Sequence, residues 1–263
     1  MNMSECLYEV REPGIGLITF NRPDRLNAWT GRMGNEYFAA IDAAVADPNV
    51  RVIVVTGAGK GYCAGADMGT LQAIPSGDTA SSKDGASIVE GRMQDEITRI
   101  TKPVIAAING FALGGGLELA MAAHVRIASD NARMGLPETS LGVIPGYGGT
   151  QRLPQLIGKG RALEMIFSAK MIDAATALNY GLVNAVVPQE ALQAAAENMA
   201  LGFMKNSIVA MGYAVEAVNA GMLEGAIGYD VEVQAFGDCF ETADFKEGTK
   251  AFLEKRKPEF PGS

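Results

Sequence analysis

Residues 103–124 read PVIAAINGFALGGGLELAMAAH. Pro103 to Ile108 is an apolar run with no alternation, which predicts a buried strand covered on both faces. Gly110 opens a turn, and three glycines at 114–116 lead into LELAMAAH, which predicts a helix entered through glycines. His124 to Ala128 resumes as a strand. Strand, glycine loop, helix and strand in this order predict a parallel α/β sheet. The same unit begins earlier, where RVIVVT at 51–56 runs into GAGKGYCAGAD at 57–67.

Moving outward, residues 6–11 and 15–20 predict a hairpin about Pro13-Gly14. NRPDRLNAW at 21–29 is turn-rich, and Thr30 is placed to cap a helix reaching about Ala46. A polar, Gly- and Ser-containing stretch covers 68–90, followed by a helix over about 87–100. Beyond residue 150 helical periodicity dominates, over 158–168, 173–180, 189–204, 206–220, 223–240 and 242–256, with a strand at Val183–Val187 before Pro188. The expectation is an α/β core over 1–200 and a helical region over 201–263.

The 263 residues are 48% hydrophobic and 20% charged, with a net charge of −8, a pI near 4.8 and a mean hydropathy of +0.10. No segment gathers a basic stripe, which argues against nucleic acid as a partner. No uncharged apolar stretch reaches roughly 18 residues, so no membrane span is expected. The first residues lack a basic segment followed by an apolar run, so no signal peptide is expected. Cys6, Cys63 and Cys239 are scattered and odd in number, which reads as reduced thiols in a reducing, cytoplasmic setting.

Gly57-Ala-Gly59-Lys-Gly61 follows a strand but is not a dinucleotide fingerprint. Position 62 is Tyr where that motif needs Gly. Backbone amides at a helix start, or exposed by a tight loop, can stabilise a developing negative charge. Gly114–Gly116 supplies the first kind and Cys63–Asp67 the second. Alone, either loop could serve only tight packing. Glu118 alone could complement the helix dipole, and Glu138 could cap the next turn. A single histidine, His124, excludes multi-histidine metal sites and makes a Ser-His-Asp triad improbable; its apolar setting predicts a structural role. Cys63 and Trp29 read as packing residues. Met68, Met93, Phe167 and Met171 read as core, with an acyl pocket as the alternative.

NRPDRLNAW, VVTGAGKGYCAGADM, KPVIAAINGFALGGGLELAMAAH and LPETSLGVIPGYGGTQRL, with the tail EGTKAFLEKRKPEF, resemble the crotonase superfamily, most closely the enoyl-CoA hydratases. The resemblance implies a spiral of repeated ββα units with a C-terminal helical region that forms trimers, often paired into hexamers. It implies hydration of a 2-trans-enoyl-CoA with no separate cofactor and no metal. It places Glu118 and Glu138 as the catalytic pair, the amides of Ala66 and Gly115 as the oxyanion hole, and the amide of Gly146 beside the attacking water. Arg25, Leu26, Ala64 and Asp67, with Phe252 and Lys255 of the tail, fall on coenzyme A-binding positions. Asp24 and Gly69 stand where relatives frequently carry lysine, so grip on the coenzyme A phosphates falls to Arg25 and the tail lysine.

Overall fold

Alternate residues of the strand over Val52–Gly57 enter two different cores. Ile53 and Val55 join the larger one, with Phe20, Tyr37 and Ile108. Val52 and Val54 join a second, formed with Ile105, Ala107, Leu192, Ala196 and Ala200. The unbroken apolar run is thereby explained, because both faces of this strand are covered. The computed structural model describes residues 4–67, 97, 100–222, 234, 238–239 and 241–263.

In chain order the strands are β1 Cys6–Arg11, β2 Ile15–Phe20, β3 Val52–Gly57, β4 Gly61–Cys63, β5 Val104–Ile108, β6 Phe111–Leu113, β7 Val125–Ser129, β8 Arg133–Gly135, β9 Ile172–Asp173 and β10 Ala185–Val187. The helices are α1 Gly31–Ala46, α2 Gly115–Ala122, α3 Gly149–Ile157, α4 Lys159–Ser168, α5 Ala174–Tyr180, α6 Leu192–Phe203, α7 Ile208–Gly221 and α8 Ala243–Glu254. One sheet runs β1-β2-β3-β5-β7-β10 and a smaller one β4-β6-β8-β9. β2-β3-β5-β7-β10 are mutually parallel, and the β1–β2 hairpin is antiparallel. The two sheets hold successive strands of each unit: β3 then β4, β5 then β6, β7 then β8. This is the repeating unit of the spiral expected from the sequence.

Local chemistry sets the boundaries. Thr30 caps α1 by accepting from the Met33 amide at 3.0 Å. Asp173 and Ser207 do the same for α5 and α7. His124 Nδ1 accepts the Val104 amide at 2.9 Å, and burial holds its pKa down near 4, so it is a neutral strut between β7 and β5. Cys6 and Cys63 are buried, and Trp29 meets Phe20 and Tyr37 edge-on.

The structure departs from the sequence reading in three places. The short strands β4 and β6 lie where glycine loops were expected, and β8 lies where the sequence predicts no element. Helix α3 covers a stretch for which the sequence predicts no element; it is entered through glycines and carries Pro154 inside it. Phe167 and Met171 are not core: they are 74% and 52% exposed. Phe167 falls at the end of α4 on the outer side of the apolar stripe formed by Ala162, Met165 and Ile166. The expected helix over 87–100, most of that over 223–240, Met68 and Met93 lie outside the described residues.

Glycines permit the packing of one unit on the next. A Cβ at Gly110 would sit 2.0 Å from the Lys60 carbonyl, and one at Gly116 would sit 1.9 Å from the Cys63 carbonyl. These neighbours are backbone and cannot swing away. Gly116→Ala should therefore destabilise the fold by about 3 kcal/mol or more. Gly160, with open space around its Cβ position on α4, is the control: Gly160→Ala should stabilise by about 0.5–1 kcal/mol. Denaturant midpoints of the two variants check this; a Gly116→Ala midpoint equal to the parent's would contradict it.

Candidate active site

The site forms where the β4 loop meets the start of α2. Gly114, at φ 52°, turns the chain so that α2 begins at Gly115. The first amides of a helix have no partner within it, and the Gly115 amide is one of them. A Cβ at Gly65 would lie only 3.8 Å from the Gly115 nitrogen, so the two loops touch at this point.

Ala66 faces the same region through its backbone. It forms a lone parallel bridge with Trp29. In that bridge Trp29 donates to the Gly65 carbonyl at 2.7 Å and Asp67 donates to the Trp29 carbonyl at 2.9 Å. The groups on either side of Ala66 are thus used, and its own N–H points away from residue 29. Asp67 is engaged by Arg22, whose Nη1 and Nη2 both lie 3.1 Å from Oδ2.

Two asparagines that the sequence reading passed over hold the glycine loop in place. Asn27 is fully buried. It donates to the carbonyls of Ala58 and Gly61, at 3.0 and 2.7 Å, and accepts the Arg22 amide at 2.7 Å. Asn109 donates to the carbonyls of Gly59 and Gly61 and accepts the Gly57 amide. Leu26, at φ 49°, and exposed Arg25 flank this loop, and the Ala64 amide donates to the Leu26 carbonyl at 3.0 Å. Lys255, at φ 53°, is exposed just after α8. The Phe252 side chain lies outside what is described.

Glu118 occupies the first turn of α2 and is completely buried. Its Oε1 accepts the amides of Tyr147 and Gly149 at 2.9 and 2.7 Å. Its Oε2 is buried and unpartnered among the described residues, and lies 4.0 Å from where a Gly115 Cβ would be. Gly146 is exposed and immediately precedes these two amides.

Glu138 opens a 3-10 turn over Glu138–Leu141. Ser140 Oγ donates back to the Pro137 carbonyl at 2.6 Å, and Thr139 Oγ1 donates to the Ile166 carbonyl at the end of α4. This anchoring lays Glu138 Oε1 2.9 Å from the Cβ position of Gly114. Its Oε2 is likewise buried without a partner among the described residues. Both acids therefore converge on the Gly114–Gly115 corner, each with one free oxygen.

Burial raises both carboxyls. Glu118 is pushed up to about 7, by desolvation first and then by the charge of Glu138, against the pull of the two amides and Arg152. Glu138 is raised chiefly by burial. Burial thus favours the protonated form of each acid relative to an exposed carboxyl. Unpartnered amides beside such a pair suit proton transfer at carbons next to a carbonyl. Among the described residues no group of three or more His, Cys, Asp and Glu could hold a metal, and no helix is long and apolar enough to cross a membrane.

A fold of stacked strand–strand–helix units of this kind is that of the crotonase class of α/β enzymes. The family described as "Enoyl-CoA hydratase/isomerase" matches residues 10–263, and the chain belongs to it. The chain is 41% identical to the short-chain-enoyl-CoA hydratase of Clostridium acetobutylicum over 263 residues, 98% of each chain. It is 40% identical to the crotonyl-CoA hydratase of Syntrophomonas wolfei over 254 residues, 95% of each. Among solved structures, the enoyl-CoA hydratase of Bacillus anthracis superposes with a TM-score of 0.92 at 37% identity, covering 99% of this chain and 100% of that one.

The buried acid has a stability consequence. A carboxyl raised from the ordinary 4.5 to about 7 on folding favours the folded state below 4.5 and costs stability as pH rises through 7. Glu118→Gln removes that cost. It should be more stable than the parent at pH 8 by up to about 3 kcal/mol. The gain should fade as pH falls from about 7 to 4.5. Urea titrations across this range check it; a gain that grows on acidification would contradict it.

Proposed function

We propose that this chain hydrates short 2-trans-enoyl-CoA thioesters to 3-hydroxyacyl-CoA through Glu118 and Glu138. The observation that carries the reading is the pair of free, buried carboxyl oxygens at Glu118 and Glu138 beside the Gly115 amide. The short-chain preference rests on the relatives named for short-chain and crotonyl substrates.

The thioester oxygen would take hydrogen bonds from the Ala66 and Gly115 amides. Attack at C3 moves an electron pair through C2 onto that oxygen, and the two amides stabilise the enolate; losing one such donor costs roughly 3–4 kcal/mol. Glu118, as carboxylate, takes one proton from the attacking water as its oxygen bonds to C3, with the Gly146 amide helping to hold the water. The two acids share one proton; when Glu118 is charged it sits on Glu138, which gives it to C2. The pair still holds one proton, now on Glu118, and that proton passes back to Glu138 before the next turnover. Double-bond isomerisation requires only one proton-shuttling acid, so the presence of two favours hydration.

For the nucleotide half, Ala64 offers its carbonyl to the adenine amino group, Leu26 a wall and Arg25 positive charge. Asp67 acts with Arg22 to fix the loop beside Ala66. Phe252 and Lys255 approach coenzyme A from a neighbouring copy in a homotrimer or a dimer of trimers, with 201–263 as the helical region that joins copies. The acyl-CoA is substrate and no separate cofactor is required. The chain acts in the cytoplasm.

With crotonyl-CoA, loss of the enoyl thioester absorbance should be fast in the parent. It should fall roughly 100- to 10,000-fold in Glu118→Gln and in Glu138→Gln, each folded as the parent is. Near-parental turnover in either variant would contradict the role given to that acid. Absence of hydration with crotonyl-CoA and with longer and branched enoyl-CoAs would contradict the function itself.

A further inference from the structure

Glu118 owes its placement to a turn that it does not belong to. The amides of Tyr147 and Gly149, which grip its Oε1, straddle Gly148 at φ 96°. Something must keep that turn closed, because two amides aimed at one oxygen are lost together if it opens.

Arg152 is the side chain that does so. It sits in the first turn of α3, and helical side chains lean back toward the helix start. Its Nη1 donates to the Tyr147 carbonyl at 2.8 Å, while its own backbone amide donates to the Gly148 carbonyl at 2.8 Å. The guanidinium lies directly over Gly148: a Cβ there would be 2.3 Å from Nη1. A left-handed glycine without a side chain is therefore the condition for the arginine to lie across the turn. The guanidinium is half-buried, and its positive charge acts on the Glu118 carboxylate.

We propose that Arg152 is a positioning residue for the hydration reaction, clamping the 147–149 turn onto Glu118. The inference rests on the function proposed above. Among the described residues, few groups face Glu118 from the elements packed on α2. Glu138 faces it from the 3-10 turn and opposes the charged form, and Arg152 faces it from α3. On β4, Tyr62 and Cys63 are kept neutral by burial. Arg126 lies at the far end of α2, where it donates to the Ala123 carbonyl at 2.7 Å, next to the neutral His124. Among the described residues, Arg152 is thus the cation that faces Glu118.

The test compares Arg152→Gln and Arg152→Lys with the parent. In Arg152→Gln, kcat for crotonyl-CoA should fall roughly 10- to 100-fold, as expected when a reacting group is slightly misplaced. KM should change little, because Arg152 is not placed against the substrate. Loss of the cation raises the pKa of Glu118, so the acidic limb of the rate profile should move up by about one pH unit. Arg152→Lys, which keeps the charge, should return the limb to its parental position and recover most of kcat. The infrared carboxyl band of Glu118, assigned by its disappearance in Glu118→Gln, reads the same titration without any substrate. Failure of the hydration reading therefore leaves this measurement standing. A folded Arg152→Gln whose limb and carboxyl titration stay parental, with only the melting temperature lowered, would reduce Arg152 to a structural strut. Should Arg152→Gln not fold, Arg152→Lys decides: a parental Glu118 titration supports the clamp and a raised one overturns it.

Discussion

The carbonyl of Cys63 lies 1.9 Å from where a side chain at position 116 would begin. Everything at the site depends on that contact of backbone with backbone. It seats the first turn of α2 directly on the end of β4. The Gly115 amide and the loop carrying Ala66 thereby come to one corner. Glu118, on the same turn, is pulled inside with them. A larger residue at 116 would separate the two loops and bring the acid out toward water. The same rule holds one step earlier, where Gly110 lies against the Lys60 carbonyl. Successive units of the spiral are registered on each other by missing side chains.

Burial of Glu118 then sets its chemistry. An acid with one oxygen on two amides would ordinarily stay charged at neutral pH. Desolvation, with the negative charge of Glu138, outweighs those hydrogen bonds, and the balance comes out near 7. That value is useful, because an acid–base group works best when its pKa lies near the working pH. The buried His124 shows the same force with the opposite result. Burial pushes it down to about 4, so the chain's one histidine is neutral and takes no charge from the site.

Much of this was legible in the residues. Val52–Val55 and Val104–Ile108 announced buried parallel strands by their lack of alternation, and the Thr30 cap fixed where α1 begins. The glycines of 114–116 pointed to a helix start with free amides. The three-residue strands β4 and β6 were not legible, because their composition is that of the glycine loops they interrupt, and β8 is too short to show a pattern. Tertiary pairing makes them strands. Helix α3 was hidden by its glycine entry and by Pro154. Phe167 and Met171 were read inward on hydrophobicity alone, yet face outward, since composition does not say which side of an element meets the core. The roles of Asn27, Asn109 and Arg152 were not legible either. Each acts on backbone carbonyls far along the chain or across a turn, and nothing in local spacing reveals a partner that only the fold supplies.

The central claim is geometric: two backbone amides and two carboxyls address one bound thioester. A crystal structure with a non-reacting acyl-CoA analogue tests it most directly. The account predicts the thioester oxygen within about 2.7–3.1 Å of both the Ala66 and Gly115 nitrogens, with C2 and C3 lying between the free oxygens of Glu118 and Glu138. A thioester oxygen bound elsewhere, or an acyl chain that reaches only one of the two acids, would contradict it.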